Sequence, residues 1–232
     1  MKDFNLKHKF RTAVLAGLTA IGALAGCGIV FPPAPDTQLV PDTTVFINVN
    51  QGKWSDWQDR QYSYLTNDSN RVHYQAWLSK LDDAKNLSLL EKANRVNDLV
   101  NNTVIYVDDS TAYGQGEYWA SGVETICTGV GDCEDFAIAK LYALEYLNVP
   151  ENRVYLLSVA DDPKVSKKSN HAVLAVDTSA ANNWVNCLIL NDYAGSRNTL
   201  ETLGQNGYEP HVMINSDEIR LCKVKVLKPP AP

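Results

Sequence analysis

The stretch GVGDCEDFAIAKLYALEY, residues 129–146, constrains the fold of this chain more than any other. From Cys133 to Leu147 it contains neither glycine nor proline and is rich in good helix formers, so a helix begins almost at Cys133. Asp132 suits the N-cap, Gly131 permits a sharp approach to it, and Asn148-Val149-Pro150 supplies the stop. Ala137, Leu141 and Leu144 form an apolar stripe at helical spacing, and Lys140 and Glu145 need not share that face. A core helix that starts on a cysteine is the expectation.

Beyond Pro150 the chain changes character. RVYLLSVA at 153–160, HAVLAV at 171–176, WVNCLILN at 184–191, HVMI at 211–214 and LCKVKVL at 221–227 read as strands. Cys222, Val224 and Val226 alternate with Lys223 and Lys225, one face buried and one wet. Hairpin-like connections such as DTSAANN favour an antiparallel sheet. Upstream, Ser88-Leu89-Leu90-Glu91 has capping-box spacing, and Leu89, Ala93, Val96 and Val100 then share one helical face. VIYV follows, and YGQGEYWASG reads as an ordered loop around Tyr118 and Trp119. Residues 53–82 place Trp54, Trp57, Tyr62, Tyr64, Tyr74 and Trp77 among polar side chains, as surface helices whose aromatics complete a core. Helices first and strands later give an α+β domain, without a P-loop or dinucleotide-binding glycine signature.

The N-terminal segment KHKFRTAVLAGLTAIGALAGC sets basic residues before a short apolar run, the layout of a secretory signal. Its end, Leu24-Ala25-Gly26-Cys27, resembles a bacterial lipobox, in which the cysteine is diacylated and becomes the mature N-terminus. Gly28 stands where an aspartate would favour inner-membrane retention, so an outer-membrane lipoprotein facing the periplasm is expected. Membrane attachment would run through acylated Cys27, since more than one acyl chain is needed for stable anchoring. Residues 28–50 are rich in proline and polar turn formers and read as a tether, with TTVFINV as a candidate edge strand.

A formal charge of −6 without a basic run argues against nucleic acid as a partner. Cys127, Cys133, Cys187 and Cys222 stand singly, without the clustered spacing of a zinc site. Cys187 and Cys222 can bridge in an oxidising compartment, and Cys127 suits an apolar filler. Cys133 is different. Amide dipoles at a helix start favour its thiolate, whereas Asp132, Glu134 and Asp135 oppose it by like charge. A histidine partner would tip the balance, and His171 and His211 are available in the C-terminal half. The three acids can also bind a hard cation such as calcium, or simply suit the positive end of a helix.

GDCEDFAIAK, with VNDLVN and YGQGEYWASGVETI upstream and HAVLAV downstream, resembles the bacterial transglutaminase-like cysteine proteinases over roughly residues 87–192. The resemblance implies a papain or transglutaminase-like core, with the nucleophile at a helix start and its histidine on an antiparallel sheet. It implies Cys133 as nucleophile, His171 as base, Asp132 and Glu134 at calcium-associated positions and Asp135 as an additional ligand. Where the family pattern ends in an aliphatic-Asp-Asn sequence, this chain reads Leu190-Asn191-Asp192. Either Asn191 or Asp192 can orient the imidazole, with the ungapped alignment placing Asn191 there. Tyr118 and Trp119 are candidate cleft residues.

The implied activity is calcium-dependent peptide hydrolysis. A large surface adhesin is the implied substrate, and an inner-membrane cyclic-di-GMP receptor is the implied regulatory partner. A transglutaminase-type acyltransferase and a non-catalytic calcium-binding lipoprotein scaffold are the alternatives. The expected division is a signal segment at 1–26, a lipid-anchored tether or edge segment at 27–50, the catalytic domain at 51–228 and a tail at 229–232.

Overall fold

Capping chemistry starts the helices of the N-terminal half. The computed structural model describes residues 39–46, 51–160, 170–178, 187–192, 201–203, 208–214 and 219–224, all within the compact unit Ala34–Pro232. Helix α1 spans Gln51–Thr66 and α2 spans Asp68–Ser79, where the Asn67 side chain accepts from the Asn70 amide. The expected Ser88 box opens α3, Leu89–Asn101: the Ser88 amide donates to Glu91 Oε2 at 2.9 Å and the Glu91 amide to Ser88 Oγ at 3.4 Å. Ala93, Val96 and Val100 are buried on the anticipated face. Among the described residues no helix is long and apolar enough to cross a membrane.

VIYV becomes the short strand β2, Ile105–Tyr106, which pairs in parallel with β3, Val130–Gly131, and so lies beside the segment that leads into Cys133. Two helices between them were not anticipated: α4, Asp109–Ala112, and α5, Gly122–Thr128. The second opens on a capping box of Ser121 and Glu124 and ends at Gly129, whose φ of 72° favours glycine. The central helix α6 spans Cys133–Tyr146. It corrects the expected one-sided stripe, because Lys140 is 0% exposed and Leu141 only half-buried. Packed by α3, α5 and the sheet together, α6 is buried on most of its circumference.

The C-terminal half forms one antiparallel sheet. With β1 at Leu39–Phe46, β4 at Val154–Ala160, β5 at His171–Val176, β6 at Leu188–Leu190, β7 at Glu201–Thr202, β8 at Glu209–Ile214 and β9 at Ile219–Val224, the seven-stranded order is β1-β9-β8-β4-β5-β6-β7. The TTVFINV region thus contributes to an edge strand. Side chains on both faces of β4 and β5 are buried. Leu156, Leu174 and Val176 meet Phe136, Ala137 and Leu144 of α6, while Leu157, Val159, Val173 and Ala175 cluster with Ile189 and Met213. Central strands packed on both faces read as continuous apolar runs, as VYLLSVA does.

Cys187 joins that second cluster as a buried free thiol, held there as an apolar side chain rather than as the disulfide partner considered above. Cys127 is also free and half-buried. The signal segment 1–26, Cys27, most of the tether and the tail 229–232 lie outside the described residues, as does the side chain of Cys222.

Candidate active site

Close packing at Gly131 brings the start of α6 against its own first turn. A Cβ on Gly131 would stand 2.6 Å from Asp135 Cβ and 2.8 Å from Asp135 Oδ2. Asp135 is needed there, because its Oδ1 accepts from the Ala120 amide at 2.7 Å and its Oδ2 from the Asp132 amide at 3.4 Å. One carboxylate therefore ties the 113–120 loop to the end of the helix that bears Cys133. Gly131→Ala should destabilise the fold by about 1–3 kcal/mol through overpacking, read as a lower denaturation midpoint.

Cys133 occupies the first position of α6 and is half-buried. Its thiol donates to Glu134 Oε2 at 3.1 Å. Burial foremost, then the charge and hydrogen bond of Glu134, push this thiol above its ordinary range, while a backbone hydrogen bond from Ala172 pulls it down. That contact places the sulfur beside the opening residues of β5, where His171 stands. His171 Nε2 lies 2.8 Å from Asn191 Oδ1 and 3.8 Å from Asp192 Oδ1. The Asp192 amide, a donor only, points at the same Asn191 oxygen at 3.0 Å. With Oδ1 so assigned, this contact calls for an N–H at Nε2 of His171, which in the neutral ring leaves Nδ1 as the acceptor. His211 lies on β8, separated from β5 by β4.

The Asn191 segment is held from the helices. Lys140 Nζ donates to the Asn191 carbonyl at 2.6 Å and approaches the Leu190 carbonyl at 3.5 Å, and Asn101 Nδ2 donates to the Asn191 carbonyl at 2.9 Å. Burial pushes the Lys140 ammonium down to about 7, opposed by the charge of Asp192. Tyr106 was not anticipated here. Its ring stacks on Phe136 at 6.5 Å, and burial followed by the charges of Cys133, Asp132 and Asp192 raises its hydroxyl to about 12. It forms a half-exposed wall beside the thiol.

Carboxylates crowd the other side of Cys133. Oxygens of Asp109, Asp132 and Asp135 lie within 4.8 Å of one another, as do those of Asp109, Glu117 and Glu134. Asp132 and Glu134 had been anticipated as ligands, and Asp135 as an additional one. Both Asp135 oxygens are engaged with backbone amides, so it also serves as a brace. Asp109 and Glu117 come from far earlier in the chain and were missed; Asp109 follows another acid at the start of α4, a weak signal by itself. Asp109 Oδ1 and Asp132 Oδ1 are buried without a hydrogen-bond partner. Burial first, then neighbouring carboxylates, raises Asp132 to about 8; burial likewise leads the rise of Asp135 to about 8 and the upward shifts of Glu134 and Asp109. Orphaned buried oxygens in an all-carboxylate shell fit a hard cation of the calcium type.

Tyr118 and Trp119 line the connection to this cluster. The Tyr118 amide donates to Asp109, its hydroxyl donates to Glu124 Oε1 at 3.0 Å, and Arg60 stands 4.7 Å from its ring centroid. Trp119 donates Nε1 to Glu117 Oε1 at 2.8 Å and packs against Ile138 and Tyr142. Both aromatics therefore connect acidic side chains of this cluster to the helical core.

Residues 79–185 match the family described as bacterial transglutaminase-like cysteine proteinase BTLCP. No curated protein matches the chain. Among solved structures, EGTA-treated LapG of Legionella pneumophila is 24% identical over 73% of this chain and 87% of that one, with a TM-score of 0.55. The calcium-bound form of the same protein is 24% identical over 71% and 86%, with a TM-score of 0.54. At this identity the likeness bears on the α+β fold. The family match includes Cys133 at the head of α6 and His171 at the head of β5, and over these residues the chain is similar to the bacterial transglutaminase-like cysteine proteinases.

Proposed function

We infer that the chain is a calcium-dependent cysteine endopeptidase of the periplasm, anchored to the outer membrane through lipidated Cys27. A flexible segment of a large surface adhesin is its substrate, and an inner-membrane cyclic-di-GMP receptor is its regulatory partner. The observation that carries the chemistry is the 2.8 Å contact of His171 Nε2 with Asn191 Oδ1, next to the helix start that bears Cys133. Calcium is supported by the orphaned acidic oxygens and by the calcium-bound state of the LapG structure. The address rests on the N-terminal segment, and the adhesin and receptor on the family resemblance.

His171 Nδ1 takes the thiol proton, and the Cys133 thiolate attacks a peptide carbonyl to form a C–S bond. Asn191 Oδ1 accepts from Nε2–H throughout and holds the imidazolium in place. Backbone amides at the start of α6 face the oxyanion. His171 returns the proton to the departing amine as the C–N bond breaks. Water then attacks the thioester while giving its proton to His171, which passes it back to sulfur as the acid product leaves. Bound calcium would neutralise the carboxylates of Asp109, Glu117, Asp132 and Glu134, removing the charge that opposes the thiolate.

The test is incubation of the mature chain with adhesin fragments, with and without calcium, followed by mass analysis. New peptide termini are expected. Amine-joined products without new termini would assign a transglutaminase-type acyltransferase, and unchanged fragments under both conditions would favour the scaffold reading. Within this reading Asn191→Ala should lower kcat/KM by about 10²-fold or more, whereas Asp192→Ala should cost less than about tenfold. The reverse order would move the orienting role to Asp192.

A further inference from the structure

We propose that Tyr208 is a positioning residue that allows an asparagine to serve where a carboxylate would need no such partner. This rests on the cysteine-peptidase reading of the site. A carboxylate beside His171 would present only acceptors, equivalent on turning over. The Asn191 amide instead has a donor end that needs an acceptor of its own, and turning it over would present N–H to the imidazole. In the turned state Nε2 would have to be the acceptor and the ring proton would move to Nδ1. That nitrogen could then no longer take the proton of Cys133.

The structure supplies the required acceptor. Asn191 Nδ2 donates to the Tyr208 hydroxyl at 2.6 Å, while Oδ1 receives the Asp192 amide at 3.0 Å and faces His171 Nε2 at 2.8 Å. The Tyr208 ring also stands edge-on to the imidazole, with centroids 5.7 Å apart and planes at 70°. Tyr208 immediately precedes β8, whereas Asn191 immediately follows β6 and His171 opens β5. One side chain thus touches both members of the pair from a third part of the sheet. The family match ends at residue 185, before Asn191 and Tyr208.

Tyr208→Phe keeps the ring and removes the hydroxyl. It should lower kcat/KM by about tenfold in the wild-type background, the scale of one lost buried hydrogen bond. In the Asn191→Asp background the same change should cost less than about threefold, because a carboxylate needs no acceptor to hold it. Equal losses in both backgrounds, or none in the wild-type background, would overturn the proposal. A second readout is independent of hydrolysis: imidazole ¹⁵N spectra of His171 in the full chain, assigned with His171→Gln. These should show Nε2 protonation in the wild type and a mixed tautomer population in Tyr208→Phe. An unchanged tautomer in that variant would sink the positioning role. Absence of cleavage by the wild type despite the expected tautomers would instead sink the peptidase reading.

Discussion

Replacing Cys133 by alanine is expected to remove peptide cleavage while leaving the fold intact. Loss of the nucleophile should lower kcat/KM by about 10⁴-fold or more, since histidine without sulfur has no acyl acceptor to activate. Stability should move by less than about 1 kcal/mol, because the change removes one half-buried sulfur and its single hydrogen bond to Glu134. The thiol is disfavoured as an anion by burial and by Glu134, and its hydrogen bond goes to that same carboxylate. Assay of product termini alongside a denaturation curve separates the two effects. Cleavage at the wild-type rate by a folded Cys133→Ala protein would remove Cys133 from the mechanism.

Chelation is expected to produce the second large change, and its sign depends on pH. Burial, then neighbouring carboxylates, raises the carboxyls of Asp132 and Asp135 from 3.8 to about 8. Between those values the folded chain binds more protons than the unfolded chain, so metal-free stability is greatest at the acidic end and falls as pH rises towards about 8. Calcium bound to the ionised carboxylates should flatten or reverse that fall. Thermal denaturation from pH 5 to 8, with chelator and with calcium, measures it directly. Alkylation of Cys133 at pH 7, read on the peptide that contains it, should rise at least about tenfold on calcium addition as the opposing charge of Glu134 is offset. Asp109→Asn keeps an acceptor for the Tyr118 amide but removes a charge, and should weaken calcium binding at least about tenfold. Calcium-independent stability and alkylation would reject the cation site.

The local parts of this architecture were legible because their causes are local. The Ser88 capping box, the breaker-free run after Cys133 and the apolar run after His171 each specify an element with neighbouring residues. The smaller helix α5 also carried a readable signal, Ser121-x-x-Glu124, hidden by the glycines that made its approach look like a continuous loop. Lys140 misled for the opposite reason. A charged residue at a helical position ordinarily marks the wet face, but here two backbone carbonyls from β6 and its exit receive it inside the core. Asp109 and Glu117 join the acidic shell only through chain reversal around α4 and the 113–120 loop, a long-range fact with no periodicity to announce it. The choice between Asn191 and Asp192 likewise turned on a one-residue register at a strand end.

CEDFAIAK works as a spacer as well as a motif. Cys133 and Lys140 are separated by two helical turns, about 10 Å along the axis. The first residue holds the sulfur and the last grips the main chain of the residue that faces the histidine. Sulfur and imidazole support are therefore gauged by the same rigid rod. Adding or deleting one residue between them would swing the ammonium by about 100° around the helix and release that grip, even with every side chain of the site still present.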